Sequence, residues 1–180
     1  ETSDIIGSGT PTDIKLDTWT VFPQQTTNMT FKVNLPSASS DHARSNTNPF
    51  ASLMEAWNGT QPQSSENTPY IASSAYASTT TLTVYDEAGS KHTISIYYDK
   101  VDSDDVEGLG NNSMWEYIVT MDPAEDQRQF WDEDAGKLRN VNETNMGGVL
   151  ASGTITFDAA GRMTNQSCYT WGGSQSPDTH

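Results

Sequence analysis

The stretch TTTLTVYDEAGSKHTISIYY, residues 79–98, constrains this chain more than any other. It is two alternating runs joined by a short link containing Asp and Gly. Leu82 and Val84 point one way, and Thr81, Thr83 and Tyr85 the other. After the link, His92, Ile94, Ile96 and Tyr98 oppose Thr93, Ser95 and Tyr97. Successive side chains of a strand face opposite ways, so the pattern is that of two half-buried strands. Asp86-Glu87-Ala88-Gly89 fits a type I turn with glycine in the left-handed position, a common hairpin closure. The device is reused where Ala135-Gly136 precedes Lys137 and where Ala160-Gly161 precedes Arg162.

Other segments carry the same period. SMWEYIVTMD places Trp115, Tyr117, Val119 and Met121 on one face, and GTITFD is a further strand. Residues 13–24 have a strand-like mix in Ile14, Leu16, Trp19, Val21 and Phe22, closed by Pro23. In TTNMTFKVNLP, Met29, Phe31, Val33 and Leu35 alternate with polar residues, which predicts a half-buried strand. The best helix candidate is PFASLMEAWNG, residues 49–59. Asn48 is placed to cap it, Pro49 suits its first position, and Asn58-Gly59 ends it. Phe50, Leu53, Met54 and Trp57 would form its core stripe. Asp122-Pro123 is suited to start a single helical turn. The sequence therefore predicts an all-β fold, an antiparallel β-sandwich or barrel of short hairpins with one short helix.

Composition agrees with that class and excludes several functions. A length of 180 residues suits one domain, or one domain with pieces of a neighbour. The apolar fraction is low at 33%, and much of the rest is Ser, Thr and Asn, which suits a sheet with wet surfaces. Five Trp, seven Tyr and five Phe argue against disorder. The formal charge is −15, from 24 acids against nine bases. Twelve of those acids lie between Asp99 and Asp134. A polyanion needs a basic patch, so nucleic acid is excluded as a partner. No apolar run approaches the length of a membrane span. The lone cysteine, Cys168, excludes an internal disulfide. No secretory signal opens the chain, and both ends look like cuts within a larger protein.

A search for chemistry yields no site. There is no Gly-x-Ser-x-Gly elbow, and Cys168 has no histidine near it in sequence. His42 sits in a Ser- and Asn-rich loop beside Asp41, His92 begins a strand face and reads as a packing residue, and His180 is terminal. The acidic segment at 102–108 resembles a calcium loop but carries Val106 fifth, Glu107 sixth and Ser113 twelfth, where that loop needs other residues. Nothing has zinc spacing. Paired carboxylates would arise by chance among so many acids. The tryptophans at 19, 57, 115, 131 and 171 could form a sugar platform, with Trp171 the least explained by burial. Asn-x-Ser/Thr sequons at Asn28, Asn58, Asn111, Asn142 and Asn165 follow from composition. No catalytic, cofactor-binding or metal-binding residue is assigned, and no cofactor is expected.

In order along the chain, Thr83 to Asp86, Gly89, His92 to Tyr98, Trp115 to Val119 and Gly153 to Gly161 resemble the middle region of the bacterial flagellar hook protein. VFPQQTTNMTFKVNLPS is similar to that family's segment leading from its inner to its outer β-domain. The resemblance covers about residues 18 to 165, and the chain departs from it in its long acidic segment DPAEDQRQFWDEDAGKL. It implies a structural, non-enzymatic subunit of the extracellular hook, the flexible joint between motor and filament. Residues 1–33 would be part of the inner β-domain and connector, 34–172 the outer β-domain, and 173–180 a linker. Implied partners are copies of itself in a helical polymer, with hook-associated and rod proteins at its ends. Export would proceed through the flagellar apparatus without a cleaved signal. The chain alone would be monomeric, since the terminal helices that drive assembly are not in it. Alternatives are a carbohydrate-binding β-sandwich, which needs an exposed row of aromatics, and a two-carboxylate hydrolase, which needs a cleft.

Overall fold

The computed structural model describes residues 24–45, 47–60 and 69–172. Its strands are β1 (Ser78–Tyr85), β2 (Lys91–Lys100), β3 (Ser113–Thr120), β4 (Gln129–Asp132), β5 (Lys137–Asn140), β6 (Val149–Phe157), β7 (Met163–Gln166) and β8 (Tyr169–Thr170). Among the described residues a single α-helix, α1, spans Ser52–Ala56. The main sheet has six strands in the order β1-β2-β3-β6-β7, with β8 also on β6, and β4-β5 form a separate hairpin. Every pairing is antiparallel. The all-β expectation holds. The main sheet stays open between β1 and β7, so the layered form is found and the barrel is not.

Register explains why both faces of this sheet are apolar. Leu82 stands opposite Ile94, Ile96 opposite Val119, Tyr98 opposite Tyr117, and Trp115 opposite Ile155. On that face Ile96, Tyr98, Trp115 and Tyr117 form a buried cluster, covered by Phe31 and Leu35. The other face carries Ile118, which packs with Leu53 and Trp57 of the α1 region and with Ala43, Ile71 and Val149. Full burial of one such aliphatic side chain contributes about 1.5–3 kcal/mol. The chain before α1 links the two layers. It runs from Thr26, whose N–H donates to Tyr85 O, past Phe31 and Leu35 to Ser37, whose carbonyl accepts from Lys100 Nζ. It then crosses the end of the sheet to reach Asp99 on the opposite face.

Two expectations are corrected here. Residues 26–35 carry no regular secondary structure, and beyond the Thr26 contact they make no backbone bond to a described strand. They form a strap laid across the sheet, so only Phe31 and Leu35 pack inward, while Met29 and Val33 are exposed. The helix is also shorter than 49–59. Asn48 caps a separate turn, its Oδ1 accepting from Phe50 N and its carbonyl from Ala51 N, so Phe50 leaves the core stripe. At the other end Trp57 is already extended, because its indole donates to Gly147 O and Asn58 N donates to Tyr70 O. The expected strand at 13–24 lies almost wholly outside the described residues.

The hairpin links have the expected glycines, with φ of 83° at Gly89, 61° at Gly136 and 77° at Gly161. Their aspartates complete the device. Asp86 Oδ1 accepts from Ser90 N, and Asp158 Oδ1 accepts from Arg162 N, so both three-residue loops close identically. The expected helical turn after Asp122 is a 3₁₀ turn at Pro123–Glu125, with Asp122 Oδ1 accepting from Ala124 N.

Gly153 faces Tyr117 across β3–β6, and the Tyr117 hydroxyl passes over it to donate to Ser167 O. A Cβ at Gly153 would overlap the Ser167 carbonyl oxygen and lie 2.7 Å from the Tyr117 hydroxyl. Gly153→Ala is therefore expected to destabilise the domain by about 1–3 kcal/mol, the usual cost of forcing atoms into a packed site. Urea unfolding reads this directly, and an unchanged midpoint would refute the close approach.

Candidate functional site

The residues with unusual chemistry collect where the strap crosses the sheet end. Asp99 of β2 and Glu116 of β3 are opposite partners in the sheet, 0% and 2% exposed. Asp99 Oδ2 accepts from the backbone N–H of His42 and of Ala43, both at 2.7 Å. Its Oδ1 lies 2.8 Å from His42 Nδ1. Glu116 Oε2 accepts from Leu53 N at 3.2 Å, in the first turn of α1. Burial pushes the Glu116 pKa up to about 8, opposed by the Leu53 amide and reinforced by the charge of Asp99. Two carboxyls thus tie the 41–45 loop and α1 to the sheet. A substrate reaches neither of them. The pair that a hydrolase reading would choose is sealed beneath the loop it holds.

Around this pair lies a more open acidic group. Single carboxylate oxygens of Asp41, Asp102 and Asp105 fall within 4.8 Å of one another. Arg44 answers two of them, at 3.4 Å from Asp102 and 3.0 Å from Asp105. Burial, then Asp99, raises the pKa of Asp41, whose Oδ1 is buried without a hydrogen-bond partner. The guanidinium therefore already supplies a cation to this group. Sequence spacing brought out the 102–108 segment but not Asp41, which arrives only because the strap folds back.

The other candidates fall at separate places. His92 sits between Glu125 Oε2 at 2.8 Å and Asp86 Oδ2 at 3.2 Å. Its pKa is raised, first by Glu125 and then by Asp86. It is thus a bridge from the first hairpin to the Pro123–Glu125 turn as well as a strand residue. Cys168 is exposed. Trp57 and Trp115 are buried in the two clusters. Trp171 is 43% exposed, beside Tyr169 at 65% and Phe50 at 43%. Trp19 and His180 lie outside the described residues. No helix among the described residues is long and apolar enough to cross a membrane.

A sheet protein whose most deeply buried carboxyls serve to fasten its own loops has the character of a structural domain. The family model of the flagellar basal body protein FlaE D2 domain matches residues 53–179. That is more than half of the chain, and the chain belongs to this family, a structural and non-enzymatic family of the flagellar hook. No curated protein and no solved structure matches it.

Proposed function

We propose that the domain is the outer β-domain of a hook subunit, a load-bearing element in the flexible joint between motor and filament. The observation that carries this reading is where the chain joins the domain. The strap starts at Thr26 beside Tyr85, and the last described strand leaves through Trp171, whose N–H donates to Leu150 O. The end of β1 and the start of β6 lie at the same end of the sheet. A domain carried outward on two chain crossings from an inner body needs this arrangement. On this reading residues 1–33 are inner domain and connector, 34–172 the outer domain, and 173–180 a linker. The surface is polar and acidic, which suits wet contacts that slide as a tube bends. Copies of the subunit are its neighbours, hook-associated and rod proteins bound the polymer, and export leaves the subunit uncleaved.

Immunogold labelling with antibody to this domain tests the reading on cells of the source organism. Gold is expected on a short curved segment between cell body and filament. Gold absent from flagella overturns it, and favours the carbohydrate-binding reading that the exposed Phe50, Tyr169 and Trp171 support. In that case a glycan screen would show binding that Trp171→Ala abolishes.

A further inference from the structure

The layer that covers the Ile118 face of the sheet behaves as one piece. Ser45 N donates to Ser52 Oγ at 3.2 Å, and the hydroxyls of Ser45 and Thr47 both donate to Glu55 Oε1, so the 41–45 loop and α1 are tied to each other. This piece is bonded to β2 and β3 through two side chains. The amides of His42 and Ala43 and the His42 ring meet Asp99, and the amide of Leu53 meets Glu116. Ala43, Leu53 and Trp57 add apolar contact in the cluster around Ile118.

Those two carboxyls stand opposite each other in the β2–β3 register, both buried, and two like charges in so dry a place are not both held cheaply. The surrounding groups decide which one stays ionised. Asp99 has the two amides and the imidazole, whereas Glu116 has the Leu53 amide and the Ser52 hydroxyl. The charges that act on Glu116 are those of Asp99 on β2 and Asp41 in the loop, both negative. Arg44 of the same loop is engaged by Asp102 and Asp105, and Glu55 of α1 by Ser45 and Thr47. From β6 the residue opposite is the uncharged Thr154. The charge therefore belongs on Asp99 and the proton on Glu116, in keeping with the upward shift of the Glu116 pKa to about 8.

We infer that Asp99 and Glu116 form a proton-operated latch: while Glu116 keeps its proton the 41–45 loop and α1 are held on the sheet, and loss of that proton releases them together. Opening the layer admits water to Glu116, which then ionises as an ordinary carboxyl does. Between pH 4.5 and about 8 the closed form holds a proton that the open form has lost, so opening is favoured as pH rises. The ratio of open to closed grows by up to about tenfold per pH unit, on the order of a thousandfold across the window. Above it both forms are ionised and the ratio levels off. Ile96, Tyr98, Trp115 and Tyr117 pack on the other face of the sheet and keep their cover of Phe31 and Leu35. The event is therefore a local opening of one layer, of the kind that proteins undergo well below the free energy of global unfolding. It does not rest on the hook reading.

Amide hydrogen exchange of the full chain, followed residue by residue by NMR and corrected for the intrinsic rate at each pH, tests it. The Ala43 and Leu53 amides are the bonds in question. Their protection is expected to fall together between pH 5 and pH 8 and to level off above, while β3 amides stay at least about tenfold better protected throughout. Glu116→Gln has no proton to lose and is expected to flatten the fall at both amides, although Ala43 is bonded to Asp99 and not to residue 116. Should that variant fail to fold, Asp41→Asn carries the test. It removes a negative charge that acts on Glu116, so the levelling-off should move to lower pH. The inference is overturned if Ala43 and Leu53 exchange with the strands, if their protection does not depend on pH, or if the folded variant leaves the fall where it was.

Discussion

Glu116→Gln is expected to stabilise the domain at pH 8 and to change it little at pH 4.5. The reason lies in proton uptake on folding. In the unfolded chain Glu116 titrates near the ordinary carboxyl value of 4.5, and in the folded protein burial moves it to about 8. Between those values the folded state holds a proton that the unfolded state has released. Stability then falls as pH rises, by up to about 1.4 kcal/mol per pH unit for one group. Accumulated across the window, the penalty at pH 8 is on the order of a few kcal/mol. Glutamine is nearly isosteric and keeps an oxygen for Leu53 N, but it has no charge to desolvate or to set against Asp99. Urea unfolding of both proteins from pH 4.5 to 8.5 provides the check. The parent curve should fall away from that of the variant as pH rises. Parallel curves would mean that Glu116 ionises in the fold as freely as in water.

Local patterns in the sequence were legible, and contacts made by folding back were not. Alternation of Leu82 with Thr83 or of Tyr117 with Ile118 reports strand faces directly, because a strand repeats every two residues. The Gly89, Gly136 and Gly161 turns were readable because they need left-handed backbone. The strap misled because Met29, Phe31, Val33 and Leu35 alternate like a strand, yet alternation says nothing about whether a hydrogen-bonding neighbour exists. The helix misled because Asn48 and Pro49 suit a cap and a first turn equally well in an isolated turn. The carboxyl centre was hidden for a different reason. Asp99 meets His42 and Ala43 only after the chain crosses the sheet end, and a composition so rich in acids masks which two are buried. One sign was available in hindsight: Glu116 lies among Trp115, Tyr117 and Ile118, in a strand with both faces covered.

Arg128→Met is expected to cost about 3–5 kcal/mol, the range for leaving a buried charge without its partner. Asp126 is the charge in question, its side chain 1% exposed. Burial alone would raise its pKa, but the Arg128 side chain and the Gly148 and Arg128 amides outweigh burial and hold it below the usual value. Arg128 Nε lies 2.8 Å from Asp126 Oδ1, and Nη2 lies 2.6 Å from Oδ2. The same Nη2 donates to Val149 O at 2.7 Å, and Nη1 donates to Trp171 O. One planar fork thus joins the approach to β4, the start of β6 and the chain leaving β8, a geometry that lysine does not reproduce. Methionine fills similar space and removes all of it. Because the Asp126 pKa is depressed in the fold, its contribution exists above the ordinary carboxyl value and is lost as pH falls through the lowered one. The damage should therefore be large at pH 7 and shrink as pH falls below the ordinary carboxyl value. Pairing the change with Asp126→Asn should restore much of the loss, since no buried charge then remains. Equal damage in the single and double variants would show that packing, not charge, is what Arg128 supplies. Faster amide exchange at Trp171 in the single variant would locate the loss where the chain leaves the domain. On the proposed hook reading, tension entering along that chain would act on β8 before it reached the core.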